Sequence, residues 1–268
     1  MEKQDEGLCI GVLDSGMGGL TVVRELERLL PSESVVYFGD SANCPYGNRS
    51  REEILKLSLS MLDFLQRRGI KIAAIACNTI SVLIEELRKH YDFPIVSIIE
   101  AACEYTAGQK LGEVGIFATE FTIQQKLYNT LITSLNPGTK VYGQPSRTLA
   151  GLVDQGRFDD PAMDAEVRSL LNLLLTAHPE LKHIVLGCTH YPIVTDLFQR
   201  AAPDINFINP AMEQAKAVQK ILETRGALAR DSQAKYDIFT SGDTELYAET
   251  MKRLKILSPV TLHSEKIA

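Results

Sequence analysis

The 268-residue chain has no tryptophan, 7 % aromatic residues and only five cysteines. Five thiols in a chain of this length are too few, and of the wrong parity, for a disulfide framework, so they read as free thiols of a reducing compartment and the protein is expected to be cytoplasmic. Long apolar runs are missing too. None approaches the roughly 18 to 20 residues of a spanning helix, and the run at 72–77 is flanked by Lys71 and Asn78. The start MEKQDEG carries three acids and no apolar stretch, unlike a secretory signal. Charge of one sign is scarce: 28 Lys+Arg against 34 Asp+Glu leave a net charge of −6. That balance argues against nucleic acid as the main partner, which would need a basic face. With 45 % hydrophobic residues it also excludes a disordered chain. There is no C-x-x-C pair, no Walker sequence, no low-complexity run and no linker rich in Pro, Gly or Ser.

What is present is an alternation of short apolar runs with stretches of helical spacing, the signature of parallel α/β architecture. Residues 8–13 read as a strand and 14–19 as a loop. Residues 20–30 read as a helix with Leu20, Val23, Leu26 and Leu30 on one face. A strand at 35–38 and a polar loop at 39–48 follow. Next come a helix at 50–68 opened by a Ser50/Glu53 capping box, a strand at 72–76, a helix at 81–90 and a strand at 94–99. The second half repeats the plan. CIGVLD at 9–14 resembles EVGIFA at 113–118, and IAAIACNT at 72–79 resembles HIVLGCTH at 183–190. The expected fold is therefore α/β, with two similar lobes of parallel sheets flanked by helices. The lobes are pseudo-twofold related, with the active site in the cleft between them. Residues 1–95 plus 211–268 would form the first lobe and 96–210 the second, the apolar Ile238 and Phe239 returning to the first.

Ligands of open parallel sheets bind at the carboxyl ends of the strands. There stand Asp14-Ser15, Asp40-Ser41, Cys77-Asn78-Thr79, Thr119 and Cys188-Thr189-His190. A cysteine ending a buried strand is usually a small core hydrophobe, and Cys9 and Cys103 are read so. Cys77 and Cys188 differ, because they hold equivalent places in the two repeats and are expected to meet across the cleft. Two opposed thiols allow three chemistries. Metal binding through Cys188 and His190 lacks the C-x₂₋₄-C spacing of structural zinc, and a redox dithiol usually shows C-x-x-C. A pair of acid/base thiols, one on each face of a small substrate, uses the duplication best. Free cysteine titrates near about 8.5, so each thiol needs a helper. His190 is placed to accept a proton from Cys188 or to orient it. Asp14 would relay the proton of Cys77, since a carboxylate otherwise raises a thiol's pKa. In Asp14-Ser-Gly-Met-Gly-Gly19 the glycines turn the strand into its helix. The free N–H groups there, with the Ser15 hydroxyl, suit an anionic substrate group.

These residues resemble a known family. Gly11-Val-Leu-Asp14-Ser-Gly-Met-Gly-Gly-Leu-Thr21, Tyr37-Phe-Gly-Asp40-Ser with Pro45-Tyr-Gly47, Ala76-Cys-Asn-Thr79, Thr119-Glu120 and Leu186-Gly-Cys-Thr-His-Tyr-Pro192 occur in this order over nearly the whole chain. Together they are similar to the glutamate racemases of the cofactor-independent aspartate/glutamate racemase superfamily. The resemblance implies reversible conversion of L- to D-glutamate without cofactor or metal, supplying D-glutamate for peptidoglycan. Cys77 would abstract the α-proton of D-glutamate and Cys188 that of L-glutamate, helped by Asp14 and His190. Substrate binding carries over to Ser15, Pro45, Tyr46, Gly47, Asn78, Thr79, Thr119 and Thr189. The chain departs from the family's pattern at Phe121, where Ala is usual, and at Asp154, which stands where a catalytic Glu near the second thiol is expected. The rival readings are a racemase of aspartate or another acidic amino acid and, in another class, a non-catalytic two-lobed amino-acid sensor. No membrane partner is expected; a homodimer is carried as an expectation only.

Overall fold

Branched apolar residues set the strands of the computed structural model, which describes residues 8–230 and 233–267. The acidic start at 1–7 lies outside the described residues. The strands are Cys9–Asp14 (β1), Val35–Gly39 (β2), Ile70–Ile75 (β3), Ile95–Ser97 (β4), Glu113–Thr119 (β5), Lys140–Ser146 (β6), His183–Gly187 (β7), Asn206–Ile208 (β8), Tyr236–Thr240 (β9) and Val260–Ser264 (β10). β1, β2 and β3 are buried on both faces, as strands of a parallel sheet covered by helices must be, and so read as continuous apolar runs.

The strands form two sheets, ordered β10-β9-β2-β1-β3-β4 and β6-β5-β7-β8. Every pairing is parallel. The order β2-β1-β3-β4 recurs as β6-β5-β7-β8, so the segments that match in sequence, β1 with β5 and β3 with β7, occupy matching places. The C-terminal segment returns to the first sheet, where β9 pairs with β2. One apolar core joins the two halves. It runs from Ile10 and Val12 through Leu20, Val23 and Leu26 to Ile116, Phe117 and Leu186. A second cluster, including Leu13, Phe38, Phe64 and Ile75, covers the other face of the six-stranded sheet. No helix among the described residues is long and apolar enough to cross a membrane.

The helix Arg51–Gln66 begins with the expected capping box, Glu53 N–H donating to Ser50 Oγ at 3.2 Å and Ser50 N–H to Glu53 Oε2 at 2.9 Å. Two expectations are corrected. The stretch 81–90 is not one helix but three short turns, Asn78–Ser81, Ile84–Leu87 and Arg88–His90. Asn78, Thr79 and Ser81 are poor helix formers whose side chains compete for backbone partners; the Ser81 hydroxyl donates to the Ile75 carbonyl at 3.3 Å. The turn thus starts directly after Cys77. The expected strand at 94–99 ends at Ser97, whose hydroxyl accepts from Glu100 N at 3.3 Å and caps the helix Ile98–Gly108.

Lys71 is buried, although it stands in the sequence only as the polar flank of an apolar run. Its ammonium lies 2.8 Å from Glu33 Oε2 and donates to the Ala227 carbonyl at 2.7 Å. Glu33 Oε1 accepts from Ala229 N at 2.7 Å. This pair ties the chain that follows the helix Ala211–Thr224 to the base of the first sheet. Removing one partner of a buried ion pair strands the other charge, at about 3–5 kcal/mol. K71M is expected to lose stability in that range by urea denaturation, whereas E33L/K71M, which removes both charges, loses clearly less. Equal losses would show that packing rather than the stranded charge sets the cost.

Candidate active site

The carboxyl ends of β1, β3, β5 and β7 and the chain just after them supply Ser15, Cys77 to Thr79, Thr119 and Cys188 to His190, and all of these line one cavity. Pro45, Tyr46 and Gly47 close it from the β2 side, joined by Cys44 and Ala150. The space is about 10 Å³, room for roughly one water, so an amino acid enters only when the walls part. A larger cavity of about 640 Å³ lies between the helices 98–108 and 211–224; it is lined by charged side chains such as Arg88, Glu100 and Lys216 and holds no thiol.

The two thiols have different neighbours. Cys77 Sγ lies 3.4 Å from Ser15 Oγ, and Cys188 Sγ lies 3.6 Å from His190 Nδ1. Burial, reinforced by the charge of Asp14, pushes the Cys77 thiol up to about 12. His190 is fully enclosed. Burial alone would lower its pKa, but hydrogen bonding to Asp154, Cys188 and Cys44 outweighs this and holds it well above the usual histidine range. These hydrogen bonds favour the charged form of His190 over the neutral one.

Neither carboxylate of the predicted catalytic set lines the cavity. Asp14 sits behind it, with Oδ2 accepting from Gly16 N at 3.2 Å and Gly19 N at 3.1 Å, and Oδ1 from the Thr189 hydroxyl at 3.1 Å. Burial raises its carboxyl to about 6, against the opposing pull of His190 and of these donors. Its hydrogen bonds go to these groups, while Cys77 bonds Ser15. Asp154 Oδ1 accepts from Met17 N at 2.8 Å and lies 3.0 Å from His190 Nε2. The expected anion site at the β1 turn is corrected accordingly: the N–H groups of Gly16, Met17 and Gly19 are spent on the protein's own carboxylates. The glycines there allow close approach rather than an unusual backbone conformation. A Cβ at Gly16 would collide with Asp154, and one at Gly18 with Thr189.

Asn78 is fixed by the Tyr128 hydroxyl, which donates to its Oδ1 at 2.7 Å, and its buried Nδ2 has no partner among the described residues. That leaves an unspent donor on a residue that lines the cavity. Thr79 and Thr119 hydroxyls meet at 3.1 Å, and Thr122 completes the cluster 2.9 Å from Thr119. Among the described residues no lysine or arginine lines the cavity, so apart from His190 the donors available to carboxylates placed here are neutral hydroxyl, amide and backbone groups.

Asp40 was read from the sequence only as a polar group at a strand end, with no role, and Cys44 was not singled out. Asp40 receives the Tyr46 hydroxyl at 2.7 Å, Asn43 Nδ2 at 2.9 Å and the Ser241 hydroxyl at 2.7 Å, which seats the 45–47 loop on the cavity. Its place at the end of β2 was the available signal. Cys44 packs against His190 and Asp154, its thiol pushed up to about 12 by burial. Nothing in its spacing to the other cysteines marks it.

A family model described as Asp/Glu/Hydantoin racemase matches residues 10–218. The chain is 33 % identical over 252 residues to a glutamate racemase of Oceanobacillus iheyensis, covering 91 % of this chain and 90 % of that protein. It is 34 % identical over 267 residues to one of Listeria monocytogenes, covering 97 % and 98 %. The crystal structure of a glutamate racemase from Bacillus anthracis superposes with a TM-score of 0.88 at 31 % identity, covering 97 % of this chain and 98 % of that one. A glutamate racemase from Francisella tularensis, solved with D-glutamate, gives 0.86 at 28 % identity and covers 98 % of both. By these matches in sequence and in fold, the chain belongs to the Asp/Glu/Hydantoin racemase family.

Proposed function

We propose that this protein interconverts L- and D-glutamate by moving a proton across the α-carbon between Cys77 and Cys188, with no metal or organic cofactor in the reaction. The observation that carries the reading is the pair of thiols at equivalent strand ends, lining one cavity, each with its own polar neighbour. In the L-to-D direction the Cys188 sulfur takes the α-proton while the Cys77 thiol, kept protonated by burial, delivers its own to the opposite face. His190, held as imidazolium, keeps the proton that Cys188 has given up. In the D-to-L direction Cys77 must first lose its proton, and Asp14, whose charge already acts on that thiol, receives it. Asp154 is a positioning residue that orients His190. Ser15, Asn78, Thr79, Thr119, Thr189 and the backbone of 45–47 hold the carboxylates. Such donors gain value as carbanion charge spreads into the carboxylate.

The glutamate racemases among the relatives favour glutamate over aspartate, and the paired thiols count against a mere sensor. The reading carries a cytoplasmic location, supply of D-glutamate for peptidoglycan, and lobes divided as 1–95 plus 211–268 and 96–210.

The direct test incubates the protein with L-glutamate and with L-aspartate: optical rotation should decay for glutamate, and decay for aspartate alone would move the assignment to the rival racemase. C77A and C188A should each abolish racemisation. Elimination of HCl from 3-chloroglutamate needs one base only, so C188A should retain it for the D-face hand and C77A for the L-face hand. Full racemisation by either variant would remove the two-thiol mechanism.

The raised carboxyl of Asp14 adds a pH dependence. As proton acceptor it must be ionised, so kcat/KM should fall as pH drops through about 6. The fall must be equal in both directions, because mirror-image products keep the equilibrium constant at one. D14N should lower kcat/KM by about 10²- to 10⁴-fold and abolish this acid limb. Persistence of the limb in D14N would assign it to another group.

A further inference from the structure

Cys44, His190 and Asp154 bring one sulfur, one imidazole nitrogen and one carboxylate oxygen within 4.8 Å of one another. Their donor types are those of zinc, which binds Cys at about 2.3 Å, His at about 2.0–2.1 Å and Asp at about 2.0–2.2 Å and accepts three protein ligands with a fourth position open. Two of the three are already in contact, His190 Nε2 and Asp154 Oδ1 lying 3.0 Å apart, with side chains only 2 % and 7 % exposed. The supporting contacts are in place as well. Met17 N–H fixes Asp154 at 2.8 Å, and Cys44 N–H bonds the Ser41 carbonyl at 3.2 Å. There is also a way in. Cys44 and Asp154 both line a separate cavity of about 240 Å³ that neither Cys77 nor Cys188 lines, bordered by Met17, Ser41 and Tyr247. Cys44 borders the catalytic cavity too, so it stands between the two spaces.

We propose that Cys44, His190 and Asp154 form a binding site for a soft divalent cation of the zinc class, and that its occupancy switches off proton transfer at Cys188. Binding exchanges protons for metal without oxidation or reduction: the Cys44 thiol releases its proton as the sulfur–metal bond forms, and the imidazolium of His190 releases one as nitrogen coordinates. An imidazole with metal on one nitrogen holds at most one proton, on the other. A cation on Nε2 takes the place of the Asp154 contact at 3.0 Å on the same ring whose Nδ1 lies 3.6 Å from Cys188 Sγ, so the metal fixes the group beside Cys188. The inhibitory consequence rests on the racemase reading, whereas the site itself does not. The reaction needs no metal for this to hold, because the cation occupies a ring that turnover requires.

The experiment titrates Co²⁺ into the intact protein under a non-thiol reductant and follows the thiolate-to-cobalt charge-transfer band. Zn²⁺ displacement of the Co²⁺ then gives the zinc affinity. Wild type and C188A should both show the band. C44S should lose it, with zinc affinity falling by more than the roughly 10- to 100-fold that loss of a merely supporting residue costs. D154N should weaken zinc binding while keeping the band. In racemase assays Zn²⁺ should inhibit the wild type and a chelator should restore it, while C44S, referred to its own metal-free rate, should need correspondingly more zinc. Absence of the band in the wild type, its survival in C44S, or its loss in C188A, which would put the metal on Cys188, would each overturn the site. The band requires no turnover, so a racemase failure and a metal-site failure are read separately, and the wild-type and C188A spectra decide the matter even should C44S fold poorly.

Discussion

Two hydrogen bonds at the end of β1 and the turn after it join the halves of the molecule: Met17 N–H donates to Asp154 at 2.8 Å, and the Thr189 hydroxyl donates to Asp14 at 3.1 Å. Each joins a group of the six-stranded half to one of the four-stranded half, each involves a carboxylate, and bonds of this kind are worth about 1.5–3 kcal/mol. They form only because Gly16 and Gly18 carry no Cβ where Asp154 and Thr189 approach. The distance between the thiols, the orientation of His190 and the volume between the walls all follow from that contact. With only about 10 Å³ between the walls, the walls must part for an amino acid to enter.

The electrostatics of the site are asymmetric although its topology is repeated. On the first-lobe side a buried thiol faces a carboxyl raised to about 6; on the other a thiol faces an imidazole held protonated. The same desolvation acts on both sides, and the neighbour decides which form it favours. Burial opposes charge on Asp14 and Cys77, whereas the hydrogen bonds of Asp154 and the two cysteines keep charge on His190. Apart from His190, the side chains that line the cavity next to an amino acid's carboxylates are neutral.

The loop after β2 shows how one carboxylate organises ten residues. Asp40 gathers Asn43, Tyr46 and Ser241, while Arg49 Nε clamps the Asn43 carbonyl at 2.7 Å. Its result is a rigid wall bearing Tyr46 and Gly47 on the substrate side and Cys44 towards His190. Gly47 passes so close to Thr119 that a side chain would meet it at 2.8 Å, so this wall too is a place where the lobes touch.

Much of this was legible in the chain itself. Continuous apolar runs mark parallel strands because both faces of such a sheet are covered, and the recurrence of β1 in β5 and of β3 in β7 determined the architecture before any contact was known. Ser50 and Glu53 determined a helix start, since both capping bonds are local. Cys77 and Cys188 stood out because a repeat makes equivalent positions comparable. What tertiary structure alone decided involves partners far apart in sequence. Lys71 reads as a polar flank until Glu33 and the 227 carbonyl surround it. Cys44 has no spacing signal, and becomes a neighbour of His190 and Asp154 only when the lobes close. The N–H groups of the β1 turn looked free for a ligand because the carboxylate of Asp154, which claims Met17, lies 137 residues away. Local pattern specifies elements and their order; which donor meets which acceptor across a cleft is settled by packing of the whole, where leaving a buried group unpaired is costly.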